Sequence, residues 1–193
     1  MAFTARSEPT RTAILAAARR LLAEKGYEGT TIRAVASAAG VDPSMVMRYY
    51  GNKEGLFSAA VDLDLHFPDA AEWPRDELGI RLARHVLARW EGELSDEQIQ
   101  LLLRSATTNS AAVEQMRAVF GGQVFRFVQQ VTGADAAEVT RRTSMLATQV
   151  LGVALCRYVL ALPPMAAMDA ETLATMLAPV IQHYLTGDLT AAV

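Results

Sequence analysis

The 193-residue sequence predicts an all-α chain of about nine helices, with a three-helix, helix-turn-helix unit at the N-terminus and a larger helical domain behind it. Apolar residues recur at helical spacing, and no segment makes a convincing alternating strand. Helix start and stop signals punctuate that pattern at ordinary helix lengths. Prolines in the stretch from Phe67 to Pro74 mark a joint between two domains.

Composition narrows the class. The chain is 51% hydrophobic and 20% charged, which suits a globular core. No uninterrupted apolar run approaches the roughly 18 residues of a membrane helix. Met1 to Pro9 lacks the apolar stretch of a secretory signal. Cys156 stands alone, without a disulfide partner or a neighbouring metal ligand. The expectation is a cytoplasmic protein with no metal, no cofactor and no membrane partner.

The elements follow in order. Residues 10–25 place Ile14, Leu15, Ala18, Leu21 and Leu22 on one face, and Gly26 stops the helix. Residues 31–39 form a short second helix with Ile32, Val35, Ala36 and Ala39 inward, capped by Thr30 or Thr31. Asp42-Pro43 pairs an N-cap acid with a proline at the first helical position, so a third helix runs to Tyr49 or Tyr50 before Gly51. Asn52 caps a fourth, the hinge helix 53–66, which packs Leu56, Phe57 and Ala60. Domain limits of 1–57 and 67–193 result.

Five helices are expected beyond the joint. Residues 75–91 make the first, and the capping box Ser95-Asp96-Glu97-Gln98 opens the second, which reaches Ala106. The third runs from Ser110 to Val131, bends at Gly121-Gly122 and ends at Gly133. Asp135 with Glu138 caps a fourth that extends to Leu162, where Pro163-Pro164 end it. Asp169 opens the last, to about Leu185, with a kink at Pro179.

Charge separates the ends. Residues 1–57 carry a net +3 in a chain of net −3, which suits a protein that meets phosphates with one end only. Two short helices joined by a tight glycine-containing turn are a helix-turn-helix. In that motif the first helix braces against the duplex backbone and the second enters the major groove. Ala36, Ala39 and Gly40 provide the small residues of the turn. Val46 and Tyr50 face inward, and Ser44, Met45, Arg48 and Tyr49 reach outward.

Thr31 to Ala36, Ala39-Gly40-Val41, and Tyr49-Tyr50-Gly51-Asn52-Lys53-Glu54-Gly55-Leu56-Phe57 together resemble the DNA-binding domain of TetR-type (tetracycline-repressor-like) regulators. The likeness covers roughly residues 10–57. It implies a homodimer, usually a repressor, that binds a palindromic operator in double-stranded DNA and is released by a ligand. It also implies phosphate contacts from Thr31, Arg33, Tyr49 and Lys53. Lys53 has its own warrant, since a helix N-terminus offers free N–H groups and a positive dipole to a phosphate. Base edges fall to Ser44, Met45 and Arg48, and Arg48 can bridge guanine O6 and N7. Met47 departs from the family's frequent tyrosine, so a common backbone contact is missing or replaced by an apolar one. Asp42 and Pro43 stand where a serine and a basic residue are common.

Catalysis finds no support. His66, His85 and His183 are scattered, with no metal spacing and no nucleophile motif. The C-terminal half mixes apolar and polar side chains along the same helices, as small-molecule pockets do. Arg104, Thr108, Phe120, Gln123, Phe127, Met145 and Gln149 are the candidates, for a small, largely apolar effector. The last two helices are apolar on more than one face, which predicts pairing with a second copy. A filled C-terminal core would instead make a DNA-binding regulator without an effector. A helical enzyme is the least supported alternative.

Overall fold

The structure is a computed structural model that describes residues 8–69, 72–91, 101–103, 105 and 109–189. Among these the chain is helical, with no strand. It divides into two compact units, Met1–Leu63 with Glu97–Met116, and Asp64–Asp96 with Arg117–Val193.

In the first unit, α1 spans Glu8–Gly29, α2 Ile32–Ala39, α3 Pro43–Tyr50 and α4 Lys53–Ala60. Gly26, at φ 67° and ψ 179°, breaks α1 as its position predicts, leaving one further turn to Gly29. Ile14, Ala18, Leu21 and Leu22 form the inner face and meet Val35, Val46, Leu56 and Phe57 in one core. Arg19 fastens α1 to the end of α4, its Nε donating to the Ala60 carbonyl at 2.9 Å.

The hinge helix was expected to reach His66, but α4 stops at Ala60 and residues 62–69 form no helix. The physical reason lies in Val61-Asp62-Leu63-Asp64-Leu65-His66-Phe67, where apolar and polar residues alternate. At 100° per residue a helix would put Leu63 and Leu65 on opposite sides. Leu63, Leu65 and Phe67 are each more buried than the Asp62, Asp64 and His66 that alternate with them, and His66 turns the chain at φ 49°, outside helical geometry.

In the second unit, a short 3₁₀ turn at Arg75–Glu77 leads into α5, Leu78–Glu91. Helix α6, Ser110–Ala118, begins in the first unit, and in the second a wide turn at Val119–Val124 holds the two glycines expected to bend it. Helix α7 is Phe125–Thr132, α8 Ala136–Ala154, α9 Pro163–Ala166 and α10 Ala170–Thr186. Asp135 and Asp169 cap α8 and α10 by accepting from the Glu138 and Thr172 amides at 2.9 Å each. Gly133, at φ 62°, ends α7. The capping box at 95–98, most of the helix it opens, Arg104 and Thr108 lie outside the described residues.

Two expectations change here. The helix from Asp135 does not run to Leu162; it widens at Leu155–Val159 and stops. Pro163 has no N–H for the Val159 carbonyl and drives Leu162 out of helical geometry, to ψ 122°. Pro163 then opens α9, so the proline pair starts a helix as well as ending one. Helix α10 continues through Pro179.

The main packing in this unit is α5 on α10. A Cβ at Gly79 would lie 2.2 Å from the Ala178 carbonyl oxygen, so only glycine permits this approach. The Gly79 amide donates to Gln182 Oε1 at 2.7 Å. Arg142 reaches from α8 to the end of α10 and donates to the Tyr184 and Gly187 carbonyls, both at 2.8 Å. Among the described residues, no helix is long and apolar enough to cross a membrane, and no group of three His, Cys, Asp or Glu could hold a metal ion.

Candidate nucleic-acid interface

The start of α2 is built by Thr31, extended at φ −121°, whose hydroxyl oxygen accepts from the Ala34 amide at 3.2 Å. The hydroxyl hydrogen remains free to point outward. Arg33, two residues on, is exposed. Gly40 closes α2 at φ 68°, a left-handed conformation that glycine adopts without strain. Its neighbour Val41 donates back to the Ala36 carbonyl at 3.0 Å, which tightens the turn. Asp42 Oδ1 then accepts from the Ser44 amide at 2.8 Å and launches α3 behind Pro43. Hydrogen bonds from Ser44 hold the Asp42 carboxyl below its ordinary range.

Along α3, Val46 is fully buried, while Ser44, Met47 and Arg48 are exposed. Met45, Tyr49 and Tyr50 are half-buried on the flanks. The Arg48 guanidinium carbon lies 5.2 Å from the centre of the Tyr49 ring, a cation–π approach that restrains an otherwise flexible arginine. Burial raises the Tyr50 hydroxyl above its ordinary range, with Arg11 opposing. That fits its place as an inner residue.

The junction of α3 and α4 is equally constrained. Asn52 Oδ1 accepts from the Gly55 amide at 2.7 Å and caps α4. A Cβ at Gly55 would meet the Tyr50 carbonyl oxygen at 2.1 Å, so the first turn of α4 can sit against the end of α3 only with glycine there. Lys53 opens α4 with its ammonium 4.3 Å from the Tyr27 ring centre and 3.4 Å from the Glu28 carbonyl. Tyr27 in turn packs edge-on against Phe57 at 5.3 Å. Burial, followed by the hydrogen bond and negative charge of Glu54, pushes the Tyr27 hydroxyl up to about 12. Sequence reasoning missed this seat for Lys53. The signal available was Tyr27, an aromatic beside the glycine that breaks α1.

The described C-terminal candidates differ in exposure. Phe127 is buried, Phe120 and Gln149 are half-buried, and Met145 is 42% exposed. Gln123 and Phe127 both hold the segment after α4, at Leu65 and Phe67. Gln123 Oε1 accepts from the Leu65 amide at 2.7 Å, and Phe127 stacks on Phe67 at 4.6 Å with Trp73 edge-on at 5.8 Å. His85 donates from Nε2 to the Leu65 carbonyl at 2.9 Å, and Arg89 donates to the Asp64 carbonyl at 2.9 Å. This strap of residues 64–67 was not foreseen, although the alternation that ends α4 was visible.

Comparison with known proteins agrees with this architecture. Residues 14–60 match the family described as "Bacterial regulatory proteins, tetR family", and residues 76–185 match "Tetracyclin repressor-like, C-terminal domain". The HTH-type transcriptional repressor AcnR of Corynebacterium glutamicum is 43% identical over 61 residues, 31% of this chain and 32% of that protein. The match thus spans about a third of this curated relative's length. A crystal structure of a TetR-family regulator from Streptomyces coelicolor A3 is 31% identical, with 96% of this chain and 99% of that one covered and a TM-score of 0.64. NalD, the secondary repressor of the MexAB-OprM multidrug efflux pump in Pseudomonas aeruginosa, shares the fold at 23% identity. There the cover is 96% of this chain and 100% of that one, with a TM-score of 0.69. With both domain descriptions matched and a near-full-length relative above thirty per cent identity, the chain belongs to the TetR family of transcriptional regulators.

Proposed function

We propose that the chain is a homodimeric repressor that binds a palindromic operator in double-stranded DNA and releases it when a small, largely apolar effector binds the C-terminal domain. The observation that carries the DNA-binding part is the exposed Ser44 and Arg48 on the side of α3 away from buried Val46, in a helix fixed at both ends by caps. In this reading Arg48 meets a guanine edge and Ser44 a neighbouring base. Thr31, Arg33 and Tyr49 meet phosphates, and so does Lys53 once it leaves the Tyr27 ring. Met45 contributes packing at the flank. Dimerisation is supported by Leu155, Leu160, Leu162 and Met176, all exposed on the last two long helices and the turns between them. Pairing sets two recognition helices about one turn of DNA apart, roughly 34 Å.

For the effector, the strap is the element to consider. It follows α4 after Val61, Asp62 and Leu63 and is held by Gln123, His85, Arg89 and Phe127. A ligand that competes with Leu65 for Gln123, or with Phe67 for Phe127, would free the strap and shift α4. Only a ligand with different affinities for the held and freed states can drive this. The strap therefore takes the role expected of the longer hinge helix.

A gel-shift titration with promoter fragments from the protein's own locus, at low salt, tests the DNA reading. One fragment is expected to bind with steep salt dependence, and Arg48→Ala to weaken it by about fivefold or more, since a bidentate base contact is worth about 1–3 kcal/mol. The absence of any bound fragment at low salt would overturn the proposal.

A further inference from the structure

Helix α3 carries two methionines, and their exposure separates them. Residues on a helix are 100° apart, so Ser44 and Arg48 lie opposite Val46, with Met45 and Met47 on the two flanks between. Burial distinguishes the two flanks: Ser44, Met47 and Arg48 are exposed, Val46 has no exposure, and Met45 is half-buried. Met47 thus opens outward beside Ser44, whereas Met45 does not. It is 46% exposed, and among the described residues of the N-terminal unit it is the one large apolar side chain left so open.

An apolar side chain on a helix that enters the major groove gains only from an apolar partner there. The groove offers one, the C5 methyl of thymine. Resting on the DNA-binding reading above, we infer that Met47, rather than Met45, is a specificity residue that packs on a thymine methyl. The thymine lies within about one or two base pairs of the guanine that Arg48 contacts, because the two side chains leave adjacent positions of the same helix. A flexible thioether suits this task, since it can settle on a methyl group without fixed donor geometry.

The test separates the two levels of the reading. Duplexes enriched from a randomised pool by the wild-type protein supply the probe. Each thymine of the enriched half-site is then replaced in turn by deoxyuridine, which pairs identically but lacks the methyl. Wild-type protein is expected to bind about three- to fivefold more weakly at one position per half-site, the worth of one buried methyl. Met47→Ala is expected to bind the thymine duplex more weakly and lose nothing further on that replacement. Met47→Gln, similar in length but polar, serves as the second variant, and melting curves verify that both fold. Equal deoxyuridine penalties in wild type and variants, or none at any thymine, would overturn the role of Met47 while leaving DNA binding intact. Failure to enrich any duplex would overturn both.

Discussion

Leu65 has its carbonyl held by a histidine and its amide by a glutamine, and the histidine makes that grip sensitive to pH. Burial lowers the His85 pKa below its ordinary value, and the positive charges of Arg89 and His66 add to the fall, while the hydrogen bond to Leu65 pulls the other way. Because the folded group is the weaker base, the unfolded chain takes up the proton first. Stability from neutral His85 is therefore complete above about pH 6.5 and is lost as the pH falls through the folded value. Urea midpoints measured at pH 7.5 and 5.5 should drop for the wild type, and should drop less for His85→Gln. Equal drops in the two proteins would show that this histidine does not govern the acid limb.

Individual helices are set by their ends and by where backbones touch. Helix α5 approaches α10 at Gly79 so closely that an added methyl would collide with the Ala178 carbonyl and the Gln182 amide nitrogen. Neither is a flexible side-chain end that can swing away. Gly79→Ala is accordingly expected to destabilise the protein by about 1–3 kcal/mol, even though alanine is the better helix former. A thermal melt would register this as a fall of several degrees. An unchanged or raised Tm would mean that the α5–α10 approach relaxes without cost. At the other end of α5, Glu91 meets Arg157 and Tyr158 from the wide turn after α8. Burial would raise the Glu91 pKa, but the hydrogen bonds from Arg157 and Tyr158 outweigh it and leave the pKa lowered. A buried arginine at the turn thus remains paired.

For the molecule as a whole, the open question is how exposed apolar surface is covered. Leu160 is 56% exposed and Met176 60%, and exposed apolar side chains that form one patch mark a surface for a partner. A second copy would cover them. The double variant Leu160→Glu, Met176→Glu is expected to sediment as a monomer and to bind operator DNA much more weakly, because one recognition helix alone loses the second half-site. A variant that sediments and binds like the wild type would place the dimer contact elsewhere.

By itself the sequence determined the local features of this protein. Helix ends at Gly26, Gly40, Asp42, Asn52, Gly133, Asp135 and Asp169 fall where expected, because a cap or a left-handed glycine acts over three or four residues. The outward placement of Ser44 and Arg48 was legible for the same reason, helical spacing being local. Tertiary structure decided what depends on partners distant in the chain. Gln123 lies 58 residues from the amide it holds and Gln182 lies 103 from its own, so no pattern along the chain announced either contact. Two polar residues with equal claims on solvent, ligand or backbone can be told apart only when folding has placed an unsatisfied N–H beside one of them.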